Sequence, residues 1–118
     1  MKFKINGLNW EIKEATQKEI KEMINKRAKN DLEEESITGR YYGSTYLDEQ
    51  IIWLDKDLPQ DRKRRTLLHE LTHAYIGCYI THLSDTNYNE ELVCDIVSNS
   101  FDIIREIVDK YFETNKTQ

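Results

Sequence analysis

Residues 66–78 read TLLHELTHAYIGC and hold two of the chain's three histidines, His69 and His73, with Glu70 directly after the first. On a helix turning about 100° per residue, the two imidazoles stand about 40° apart and Glu70 falls about 60° beyond His73. Leu67, Leu68, Leu71, Ala74, Tyr75 and Cys78 line the opposite side, so the helix presents an apolar face to a core and a polar one away from it. The pattern is HExxH. Neutral imidazole nitrogen is a good zinc ligand, and a carboxylate one residue after the first histidine can reach a water on the metal without binding the metal itself.

Working outward, Asp57-Leu58-Pro59 is a helix-start signal, with the only proline at the first turn, and predicts a helix over Gln60 to Tyr79. Upstream, Phe3, Ile5, Leu8, Trp10 and Ile12 alternate with polar residues around Asn6-Gly7, which predicts a β-hairpin. Thr16-Gln17-Lys18-Glu19 fits a capping box, and Ile20, Met23, Ile24 and Ala28 recur at helical spacing, predicting a helix from Thr16 to Asn30. Asp31 to Ser36 reads as an exposed loop. From Ile37 to Leu54, β-branched and aromatic residues broken at Gly43-Ser44 and at Asp48-Glu49-Gln50 predict two or three short strands ending in Ile51-Ile52-Trp53-Leu54. Thr81 to Asn89 reads as a polar loop, and a last helix runs from Glu90 to Phe112.

The fold class is therefore α+β. A small, mostly antiparallel sheet packs on the HExxH helix and a C-terminal helix, with a further helix near the N-terminus. At 118 residues this is one domain, residues 1–114, followed by a frayed tail at 115–118.

A third metal ligand is sought on the last helix. Val93, Ile96, Val97, Ile103, Ile104 and Ile107 form its apolar side, while Glu91, Asp95, Ser98 and Asp102 line the other. Glu91 is the leading candidate ligand, and Asp95, one turn on, is placed to accept a ligand histidine's free ring N–H and fix its tautomer. Asp85, in the preceding loop, is the alternative, and His82 there reads either as a solvent-exposed residue or as an oxyanion partner. The longer HExxHxxGxxH pattern is excluded, because Ile76 and Tyr79 occupy its glycine and third-histidine positions.

Net charge is −5, from 22 acidic and 17 basic side chains, and such a field repels a phosphate backbone. Direct nucleic-acid binding is not expected. The basic run Arg62-Lys63-Arg64-Arg65 reads first as a solvated face and second as a dock for an acidic patch on another protein. The opening MKFKINGLNW alternates polar and apolar residues, unlike a signal peptide or membrane anchor, so a cytoplasmic protein is expected. Cys78 and Cys94 lack metal-site spacing and read as two buried free thiols.

The stretches TLLHELTHAYI (66–76) and NEELVCDIV (89–97) resemble the ImmA/IrrE family of zincin-like metallopeptidases, particularly its short phage and mobile-element forms. There HExxH is followed by a helix reading approximately ExxANxFA, matched by Glu91, with Cys94, Asp95, Val97 and Ser98 at its other positions. Thr72 stands where a glycine is common, and no Leu-Leu-Met-Pro follows the second motif. The resemblance implies a zincin-like fold, Zn2+ on His69, His73 and Glu91, Glu70 as general base, and Asp95 supporting a histidine. It also implies that the strand at Ile51 to Leu54 borders the substrate cleft and pairs with an extended peptide.

Two functions follow as expectations. The first is a zinc endopeptidase acting on a protein such as a helix-turn-helix repressor of a mobile element or stress regulon. Tyr42, Tyr46 or His82 would be its second oxyanion donor. The other is a zincin-fold module that sequesters or displaces a regulatory protein without cutting it. A purely structural zinc is disfavoured, since two histidines and one glutamate leave coordination open.

Overall fold

A computed structural model describes residues 1–30, 41–80 and 89–114, with side chains placed at 1–27, 41–80 and 89–113. The expected loops at 31–36 and 81–89, the strand start at Ile37 and the tail at 115–118 lie outside the described residues, apart from Asn89. Strands β1 (Lys2–Ile5) and β2 (Leu8–Ala15) form the hairpin. Its turn places Asn6 at φ 52° and Gly7 at φ 74°, the doubly left-handed geometry for which Asn-Gly is favoured. Helix α1 (Gln17–Asn30) starts at the capping box. Glu19 N–H donates to Thr16 Oγ1 and Thr16 N–H to Glu19 Oε1, each at 3.2 Å. The Thr16 hydroxyl, donating to Glu19 Oε1 at 2.8 Å, and then the Thr16 N–H hold the Glu19 carboxyl below its usual value.

Strands β3 (Gly43–Tyr46) and β4 (Ile51–Asp55) follow, then helices α2 (Gln60–Tyr79) and α3 (Glu90–Thr114). The sheet order is β1-β2-β4-β3. The two outer pairings are antiparallel, but β2 and β4 run parallel, with Ile12 opposite Ile52. Two of the three pairings are thus antiparallel, in keeping with the mostly antiparallel sheet expected. The parallel seam arises because the chain passes through α1 before rejoining the sheet, the length of connection that parallel neighbours need.

That order corrects one expectation directly. The Ile51 to Leu54 strand cannot pair with a peptide, because β2 and β3 occupy both of its edges. Among the described residues, the free edge beside α2 belongs to β3. Gly43-Ser44, read as a break, lies inside β3.

The core lies between one sheet face and the α2/α3 pair. Trp10, Ile12, Ile52 and Leu54 meet Leu67, Leu71, Ala74, Ile104 and Val108. Helix α1 covers part of the other face. Thr45 reaches Glu70 on α2, whereas the next residue, Tyr46, is stacked by Arg27 of α1, and successive strand residues point to opposite faces. No described helix is long and apolar enough to cross a membrane.

Several side chains depart from their expected burial. Leu68 is exposed, Cys78 is half-buried and Cys94 is exposed, so the cysteines are free thiols but not buried ones. Val93 and Val97 are 47% and 57% exposed although their helical angle matches the buried set. The difference is one of cover, since little among the described residues packs over the first two turns of α3. The solvated face expected for 62–65 does not extend to Lys63. That side chain is buried instead, with Nζ donating to Glu14 Oε1 at 2.7 Å and to the Lys56 carbonyl at 3.2 Å.

Tyr111 donates its hydroxyl to the other oxygen of Glu14, so one carboxylate ties β2 to both α2 and α3. Burial, then the Glu14 carboxylate, pushes the Tyr111 phenol well above its ordinary value. A folded value above the unfolded one means this contribution is complete below about pH 10 and lost as pH climbs through the folded value. The stability difference between the native protein and Tyr111→Phe should therefore be constant in thermal melts below about pH 9 and shrink at higher pH.

Candidate active site

Helix α2 presents its histidines outward, as its apolar spacing requires. His69 Nε2 and His73 Nε2 face each other at 3.2 Å, with ring planes at 76°. Two nitrogens bound tetrahedrally at about 2.0 to 2.1 Å from one zinc ion would be about 3.3 to 3.4 Å apart. The pair therefore fits two corners of a zinc tetrahedron. The side chain of His69 is 68% exposed, leaving its ring accessible to an ion and a substrate.

Glu70 is set differently. It is only 7% exposed, with Oε2 4.0 Å from His69 Nε2 and Oε1 accepting the Thr45 hydroxyl at 2.7 Å. The same hydroxyl lies 3.1 Å from the Glu70 carbonyl, so Thr45 tethers β3 to the backbone and side chain of one residue. A carboxylate removed from water needs such a partner. The tether also aims one oxygen toward the histidines.

Close approach of β3 to α2 depends on Gly43. A Cβ there would lie 2.8 Å from the Trp53 carbonyl oxygen, 3.0 Å from Thr66 Cγ2 and 3.3 Å from Glu70 Cγ. Just before β3, Tyr41 is held by Gln17 of α1, whose amide donates to the Tyr41 carbonyl and accepts from the Tyr41 N–H at 3.0 Å. That amide also donates to buried Asp55 at 2.8 Å. A cleft of about 330 Å³ runs between this strand entry and α2, lined by Tyr41, Tyr42 and Gly43 on one side and by Arg62, Arg65, Thr66, His69 and Glu70 on the other. A larger hollow of about 570 Å³, near Lys2, Trp10 and Gln50, contains none of these groups.

His69, Glu70 and His73 are thus brought together. Glu91 and Asp95 stand exposed in the first two turns of α3, and no set of three or more His, Cys, Asp or Glu side chains gathers to hold a metal among the described residues. His82 and Asp85 lie outside those residues. Of the oxyanion candidates, Tyr42 lines the cleft, whereas Tyr46 is buried and points to the α1 side. Thr45, Gly43 and Gln17 were not singled out from sequence. Gly43 carried a readable signal, since a glycine inside a β-rich run marks close backbone approach as well as a break.

The model of the IrrE N-terminal-like domain, Peptidase_M78, matches residues 26–117, more than three quarters of the chain. The chain belongs to this family. No curated protein and no solved structure matches it. Membership supports a peptidase-type domain, and the matched region includes α2, α3 and the β3 edge. The sheet's β1 and β2 precede the match, yet Glu14 on β2 supports α2 from beneath.

Gly43→Ala should lower thermal stability by about 1 to 3 kcal/mol, because backbone limits relief of the clash. Thr45→Val keeps the shape but removes the hydroxyl from a buried carboxylate, and should cost about 1 to 3 kcal/mol in denaturant melts.

Proposed function

We propose that this IrrE-like domain is a zinc-dependent endopeptidase that hydrolyses a bond in a protein substrate, with His69, His73 and Glu91 as the metal-holding residues and Glu70 as general base. The observation that carries the reading is the 3.2 Å approach of the two Nε2 atoms beside a buried, tethered carboxylate, at an open strand edge. When bound, zinc would supply Lewis acidity, lowering the pKa of a water toward ~7 and polarising the scissile carbonyl.

The chain's own residues carry the remaining steps. Glu70 takes the proton of the attacking water and passes it to the leaving amine. Thr45 keeps that carboxylate aimed while its surroundings exclude bulk water. Asp95 orients a ligand histidine through its ring N–H. Tyr42, in the cleft wall, is the remaining described candidate for a second donor to the oxyanion.

Substrate capture falls to β3. Asp55 N–H donates to the Tyr42 carbonyl, so alternation along the antiparallel pair turns the N–H and C=O of Gly43 and Thr45 away from β4. An extended peptide can add there as a further strand. A helix-turn-helix repressor with an extended linker is the proposed substrate class.

The alternative, a module that binds a regulator without cutting it, draws support from the separation of Glu91 from the histidine pair. Glu70→Gln distinguishes the two. It should retain zinc at one ion per chain by metal analysis while hydrolysis falls by at least about 100-fold. Full relief of a repressor by that variant would eliminate the peptidase reading. Glu91→Ala should lose zinc on dialysis with fold retained by circular dichroism. Unchanged retention would remove Glu91 from the ligand set.

A further inference from the structure

Four consecutive cations open α2, and the fold treats them in two ways. Lys63 is buried against Glu14, and Arg64 pairs with Asp109 at 2.9 Å. The guanidinium groups of Arg62 and Arg65 have no carboxylate partner among the described residues, although the Arg62 N–H donates to Asp61 Oδ1 at 2.8 Å, and both side chains line the cleft that contains His69 and Glu70. Helical geometry explains the division. Arg62, Arg65, Thr66, His69 and His73 fall within a stripe of about 100° on one face, whereas Lys63 and Arg64 point elsewhere.

The guanidinium of Arg62 lies over the Tyr42 ring at 5.0 Å from its centroid. Tyr42 is anchored through its carbonyl to Asp55, so this stacking restrains the cation at the cleft wall. Two positive charges are thus concentrated in the cleft of a chain whose net charge is −5. The favoured ligand is a carboxylate, because guanidinium offers paired donors in the geometry a carboxylate accepts.

The subsite's position along the peptide follows from the direction of β3. Gly43 lies against Thr66 and Glu70, whereas Leu47, just past the strand, lies against Gly77, so β3 and α2 run the same way. Antiparallel pairing is the more stable mode. A peptide bound that way on β3 directs its C-terminal part toward Tyr42 and Arg62.

We infer that Arg62 and Arg65 form a specificity subsite for Asp or Glu side chains on the C-terminal side of the scissile bond. This deepens the peptidase reading and rests on β3 as the peptide-binding edge. Neither arginine touches the reacting atoms, so their effect is on which peptides bind.

The test uses the full chain carrying Glu70→Gln and three fluorescent ten-residue peptide libraries, otherwise randomised. One fixes Glu at three adjacent C-terminal positions, one fixes Gln at those positions, and one fixes Glu at the corresponding N-terminal positions. By fluorescence anisotropy, the C-terminal Glu library should bind roughly fivefold to tenfold tighter than the Gln library. The gap should narrow with added salt and vanish when Arg62→Gln and Arg65→Gln are combined. Equal binding of the first two libraries, or a gap that survives the double substitution, overturns the subsite. Tighter binding of the N-terminal Glu library overturns its assigned side. Hydrolysis by the unsubstituted chain is measured separately. Failure to cleave with the binding preference intact removes the peptidase reading and leaves the subsite, whereas cleavage without acidic preference does the reverse.

Discussion

The site depends on burial of one carboxylate between a helix and an edge strand. Glu70 sits on the polar side of α2, yet β3 comes close enough to shield it almost completely from solvent. Taking an ionised group out of water is unfavourable unless hydrogen bonds replace hydration. The Thr45 hydroxyl provides one, and the missing Cβ at Gly43 provides the room. The same contact sets the separation between the histidines and the free strand edge. The histidine pair, the buried carboxylate and the β3 edge are therefore positioned together.

Beneath this contact lies a second carboxylate with an opposite task. Glu14 receives the Lys63 ammonium and the Tyr111 hydroxyl, joining β2 to both helices. Lys63 is held down on one side of α2 while its neighbours Arg62 and Arg65 face the cleft. The pairing thus fixes the rotation of the helix about its axis, and the direction of His69 and His73 follows from it. A partly buried ion pair adds little net stability in general, but it discriminates strongly between alternative packings when one partner would be left alone.

Much of this was legible in the chain itself. HExxH on a helix with an apolar back, the Asn-Gly turn and the Thr16 to Glu19 capping box are local patterns whose physics is complete within a few residues. Their boundaries in the structure follow the pattern closely, with α2 spanning Gln60–Tyr79. What escaped was non-local. The place of β4 between β2 and β3 depends on a parallel pairing across α1, and no alternation pattern encodes a neighbour. The run at 62–65 looked uniformly solvated because the partner of Lys63 lies 49 residues away. Gly43 looked like a break because the helix that needs its small size comes later in the chain. Val93 and Val97 had the right angle for burial, but angle says nothing about cover. The role of Glu91 rests on spacing and family resemblance for the same reason, since it belongs to those exposed first turns.

The bond between Glu14 and Tyr111 joins residues 97 positions apart. Closing so wide a loop carries an entropic cost that only late, cooperative packing can offset. During synthesis, the two histidines emerge from the ribosome well before the helix that braces their own. A nascent chain would carry the two histidines on a helix still lacking its brace, and their orientation would be set only once α3 has formed and docked on Glu14.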